Sequence, residues 1–118
     1  MPSGRPIHGM HESSDKTISE DLRRAGRRAV LVFWAPWARQ CKDVTRFCHA
    51  ASEVAGEEAV IALNTDTNPV TAHAHHVQRV PMVQIITDGS VVWTTEGLPE
   101  AEDLKIAWQA ASVAEHAA

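Results

Sequence analysis

Hydrophobic and polar positions along this chain switch between helical and strand periods, and the switches mark out a series of short elements. Thr17 to Ala25 places Ile18 and Leu22 four residues apart, on one face of a helix that Gly26 can end. Ala29 to Trp34 (AVLVFW) follows with no polar alternation, the pattern of a strand covered on both faces. After a bend at Pro36, positions 38 to 54 carry Cys41, Val44, Cys48 and Ala51 at three-to-four spacing, with Lys42, Asp43, Arg46 and Glu53 around the rest of the wheel. An amphipathic helix is expected there. Ala59 to Leu63 (AVIAL) reads as a second buried strand, and the turn residues NTDTNP lead into a helix that begins near Pro69 and runs to about His76. Segments 82–87 and 91–94 flank Asp88-Gly89, a strong hairpin signal, and should pair antiparallel. A last helix starts near Pro99, with Glu100, Glu102 and Asp103 where the helix dipole favours anions and Leu104, Ala107 and Trp108 turned inward. This order predicts an α/β domain with a central mixed β-sheet flanked by helices, parallel at the first crossover and antiparallel at the hairpin.

Composition narrows the picture. A length of 118 residues fits one domain around one core, and no apolar run approaches the roughly 20 residues of a membrane helix, so no membrane partner is expected. The formal charge of -4 is mild, and Arg23, Arg24, Arg27 and Arg28 form no extended basic stripe, which argues against nucleic acid. With only Cys41 and Cys48 the chain is no disulfide-rich scaffold, and its N-terminus lacks the apolar core of a secretory signal; a cytoplasmic protein is the expectation. Residues 1–15, rich in Pro, Gly, Ser and His, read as a mobile tail with room for a short edge strand around Ile7 to Met10, and residues 16–118 as the domain. His73 and His76 would share a face of the third helix, near His75. Without further ligands such a pair holds no stable metal site, so a solvated surface is the simpler reading. No cofactor is implied.

Residues 33–41, FWAPWARQC, resemble the active-site segment of the thioredoxin family, whose usual form is a tryptophan followed by Cys-x-x-Cys. Asn64, Asp66, Asn68 and Pro69 resemble that family's turn into its third helix, and Val80-Pro81 its cis-proline loop. Asp88-Gly89 and Gly97 recur at family spacing, so the resemblance covers roughly residues 17–113 and implies a thioredoxin fold. The family's reaction needs a cysteine at the helix N-terminus, where the dipole and free amides make thiolate available to attack a disulfide. Ala38 stands there. Its partner, Cys41, remains as a lone thiol. Cys48 lies about 10.5 Å further along an intact helix, too far for a bridge, and is expected to pack as a small hydrophobe. Val32 and Ala62 stand where the resemblance implies a buried aspartate and lysine that help move protons, so three catalytic positions are altered together.

Trp37, the Val80-Pro81 loop and Gly97-Leu98 resemble the family's groove for an extended polypeptide, with Met82 in place of the usual threonine making the groove more apolar. Trp37 is either a contact for a protein partner or a lid. The favoured expectation is therefore a non-catalytic, polypeptide-binding or chaperone-type module, monomeric or weakly self-associating. The alternatives are a thiol-disulfide oxidoreductase or redox sensor working through Cys41, and an engineered inactive form of a thioredoxin.

Overall fold

The computed structural model describes residues 11–117, with side chains through residue 111. Uninterrupted apolar runs become β2 and β3, and a run broken by Gln84 becomes β4, the inner strands of a five-stranded sheet in the order β1-β3-β2-β4-β5. The strands are β1 (His11–Glu12), β2 (Arg28–Trp34), β3 (Val60–Asn64), β4 (Met82–Thr87) and β5 (Ser90–Glu96). β3 runs parallel to β1 and β2, and β4 lies antiparallel to both β2 and β5. Asp88 and Gly89 both take positive φ, 51° and 84°, the two-residue turn whose twist suits a tight hairpin.

Among the described residues four α-helices flank the sheet: α1 (Ile18–Ala25), α2 (Val44–Ala55), α3 (Pro69–Ala74) and α4 (Ala101–Ala117). On one face Val30, Val32, Ala62, Val83 and Ile85 meet the inner sides of α2 and α4, including Phe47, Cys48, Leu104 and Trp108. On the other, Leu31, Phe33, Ile61 and Leu63 are covered by Ile18 and Leu22 of α1 and by Val77. β2 is thus apolar from Ala29 to Trp34 because both faces of that stretch are core. At its start, the Arg28 guanidinium lies 4.0 Å from the Trp108 ring centre and donates to the Trp108 carbonyl, fastening α4 to the sheet.

Several expectations are corrected. The helix foreseen over 38–54 opens as a 3-10 turn, Arg39–Asp43, before α2 begins at Val44. The Cys41 amide bonds the Ala38 carbonyl three residues back, at 2.9 Å, which tightens this first turn. The third helix stops at Ala74 and His76 takes φ +59°, so His73 and His76 do not share a helical face. The edge strand anticipated at Ile7–Met10 lies outside the described residues; among the described residues β1 spans His11–Glu12. Part of the expected tail is tied into the domain: Ser13 donates its amide to Ala62 and its hydroxyl to the Asp21 carboxylate. Asp15 accepts the amides of Val70 and Thr71, at 3.1 and 2.8 Å, and so satisfies the first turn of α3 from across the chain. Asp15 also donates its own amide to buried Asn68, whose amide group bonds the Asn64 carbonyl.

Candidate functional site

The end of β2 delivers the segment that matters most. Trp34 pairs with Asn64 of β3, and its carbonyl accepts the Thr65 amide, so the chain leaves the sheet at a fixed point. Ala35 is buried, and Pro36 and Trp37 turn outward. Trp37 is 71% exposed, yet its indole N–H donates to the Asp66 carboxylate at 2.9 Å, which orients the ring. Asp66 is itself held by its amide, which bonds the Asn64 side chain.

Behind Trp37 an open cavity of about 420 Å³ is lined by Trp34, Ala35, Pro36, Trp37, Ala38, Arg39, Cys41 and Lys42. Ala38 and Cys41 stand at its inner side, only 8% and 7% exposed. The Cys41 thiol accepts the Ala35 amide at 3.4 Å. Burial nevertheless outweighs that hydrogen bond and pushes the thiol above its ordinary range, so it stays protonated at neutral pH. Beneath it, Val32 and Ala62 are partners across β2 and β3, both fully buried within the same apolar cluster as Ala38 and Cys41. No titratable side chain occupies either place. Cys48 is also fully buried, and burial, helped by the Glu12 charge, pushes it up to about 12. Both thiols are free.

Val80-Pro81 is a cis peptide bond. The Pro81 carbonyl accepts the Gly97 amide at 2.7 Å, bringing the loop before β4 against the end of β5. Gly97 has φ +85°, a conformation that favours glycine. Val80 and Leu98 pack against the cluster that contains Ala38 and Cys41, but neither lines the cavity, and Pro81 is buried. The sequence-derived residues therefore fall into two adjoining parts, the Trp37–Cys41 cavity and the 80–81/97–98 ridge. Met82 is a correction: it is 7% exposed and packs beneath the loop with Leu31 and Phe33, so it adds no apolar groove surface.

Sequence reasoning missed the supports. Gln84 is a buried amide between the apolar residues 82–83 and 85–86 of β4, and its oxygen lies 2.9 Å from His75 Nδ1 while its NH2 donates to the His75 carbonyl. His75, half-buried against Phe33, thereby holds the chain entering the 77–81 loop, and is not the free surface imidazole expected. One polar position inside a β-branched run was the available signal.

A strand leading to a tryptophan, a thiol on the turn behind it and a cis-proline loop beside it define a protein of the thioredoxin-fold class. The family profile described as Thioredoxin matches residues 9–110. A thioredoxin of Streptomyces clavuligerus is 30% identical over 84 residues, 71% of this chain and 78% of its own length. A thioredoxin of Rhodospirillum rubrum is 30% identical over 106 residues, 88% of this chain and all of its own. Among solved structures, a mutant thioredoxin from Halobacterium salinarum superposes with a TM-score of 0.72 at 23% identity, covering 88% of this chain and 92% of that one. This chain belongs to the thioredoxin family.

Proposed function

We propose that this thioredoxin-family chain is a non-catalytic module that binds an extended polypeptide segment of a partner protein at Trp37 and the Val80-Pro81 and Gly97-Leu98 ridge. The observation that carries the reading is Ala38: a buried methyl group occupies the position from which a thiolate would open a disulfide. Exchange begins when a thiolate attacks one sulfur, forms a new S–S bond and expels the other sulfur as a thiolate. Ala38 offers no sulfur, and Cys41 is shielded and held protonated. The apolar Val32–Ala62 pair beneath offers no group to take or return a proton. Trp37 remains exposed and oriented, an aromatic anchor of the kind that carries much of the energy at protein interfaces. Two free thiols suit the reducing cytoplasm, where we place the module.

A second reading, a thiol enzyme or sensor working through Cys41, draws on one observation: Cys41 lines the cavity. A disulfide-reduction assay separates the two when run on the unaltered chain, Cys41→Ser and Ala38→Cys. The binding reading predicts no turnover by the unaltered chain. Turnover there that disappears in Cys41→Ser would establish the thiol reading instead. Recovery in Ala38→Cys would show that only the nucleophile is missing; no recovery would show that the Val32–Ala62 surroundings have also lost the chemistry.

A further inference from the structure

We propose that the segment bound beside Trp37 carries an acidic side chain, and that Arg39 and Lys42 receive its carboxylate. This rests on the polypeptide-binding reading and adds the chemistry of the partner. Apart from two side chains the cavity lining is uncharged and mostly apolar, with Ala35, Pro36, Ala38 and Cys41 beside Trp34 and Trp37. Arg39 and Lys42 are the only charged residues that line it. Both are exposed. Among the described residues neither joins an ion pair; the pairs that form lie elsewhere, as at Glu20–Arg23 and Arg27–Asp88.

Carboxylates near this end of the molecule do not neutralise the two cations inside the cavity. Asp66 accepts the Trp37 indole N–H, and Asp43 is half-buried on the same turn; neither lines the cavity. Glu96 and Glu100 are exposed on either side of Gly97-Leu98, at the ridge that the Pro81–Gly97 hydrogen bond ties to the loop. The two parts of the surface therefore differ: the cavity carries only the cations Arg39 and Lys42, whereas the acidic Glu96 and Glu100 flank Gly97-Leu98 and exposed Arg79 stands on the Val80 side of the ridge. A segment with its acidic residue over the cavity and an apolar or basic residue toward Gly97 matches that arrangement, and the reversed segment is opposed at both ends. Exposed charges of this kind add modest affinity but sort partners and speed encounter.

The test uses the full chain and three fluorescently labelled peptides that share alternating valine and leucine positions and differ at one central residue: Asp, Asn or Lys. Anisotropy titrations at about 50 mM salt should show the Asp peptide bound about fivefold tighter than the Asn peptide, with the Lys peptide weakest. Raising salt to about 0.5 M should erase most of that difference. The double variant Arg39→Glu/Lys42→Glu should reverse the order, and tighter binding of the Lys peptide would itself show that the variant is folded. Lys42→Gln alone should shrink the Asp advantage to about twofold. Equal binding of all three peptides, lost in Trp37→Ala, would overturn the acidic-segment inference while leaving the groove reading in place. Binding of none of them would overturn both.

Discussion

Position 38 carries a buried methyl group and no sulfur, and the side chains packed around it are apolar as well. Cys41 is buried with its thiol pushed up, and Val32 and Ala62 are apolar partners beneath it. Iodoacetamide at neutral pH should therefore modify neither cysteine of the native chain at a rate near that of a free thiol, whereas unfolding in denaturant should expose both; mass spectrometry reads the difference. Cys48 adds a pH signature. Its pKa is raised in the fold to about 12 from an ordinary value of 9.0, so its contribution to stability is complete below about pH 9 and is lost as pH rises toward 12. Denaturant midpoints should fall across that window, and less so in Cys48→Ala. At Asp21 the sign is opposite. Burial alone would raise this carboxyl, but hydrogen bonds from Ser13, His11 and Thr17 together hold it below its ordinary 3.8. Its contribution is therefore present above about pH 3.8 and is lost as pH falls below it. Asp21→Ala should cost about 2 kcal/mol in denaturant unfolding at pH 7, the scale of hydrogen bonds to a buried charged acceptor. The loss should shrink in acid. That position 38 carries no sulfur was legible in the sequence, because a residue is either a cysteine or not. The Asp21 cluster was not, because Ser13 and Asp21 become neighbours only when β1 joins the sheet.

The elements themselves were largely readable. β2, β3 and the Asp88-Gly89 hairpin appear where uninterrupted apolar runs and a turn dipeptide place them, and the sheet is mixed as expected. Boundaries moved where tertiary contacts overrode periodicity. The 38–54 pattern reads as one helix because side-chain spacing does not distinguish a 3-10 first turn from an α-helical one, so the tighter turn at Cys41 was invisible. α3 is shorter than its sequence pattern because His75 leaves the helix to pair with Gln84, a contact between residues on different elements. That pair ties the end of α3 to β4 on the path to the Val80-Pro81 loop. In Gln84→Leu the core gains an apolar side chain of similar size, while half-buried His75 can turn to water. Thermal stability should stay within about 1 kcal/mol of the unaltered chain. Amide exchange through residues 75–80 should quicken, because the tether is gone. Unchanged exchange there would remove Gln84 and His75 from any part in shaping the ridge.

At the scale of the whole molecule, a thioredoxin-family framework carries Ala38 and Cys41 on the turn after β2, with exposed Trp37 beside them. The resemblance of residues 33–41 to the active-site segment pointed to the family, which the match over residues 9–110 establishes. The separation of a cavity lined by residues 34–42 from a ridge tied by Gly97 was not legible in the sequence, because the Pro81–Gly97 hydrogen bond joins residues that meet only when β4 and β5 pair. The central claim is binding without exchange. Its most direct measurement is intact-protein mass spectrometry of the chain mixed with two copies of an acidic peptide joined by one disulfide, recorded under native conditions and again after denaturation in acid without reductant, where exposed thiols stay protonated. The account predicts a complex in the native spectrum that denaturation dissolves, leaving the protein at its unmodified mass. A peptide adduct on Cys41 that survives denaturation would contradict it, since such an adduct requires that the thiol attacked the disulfide and released half of the peptide.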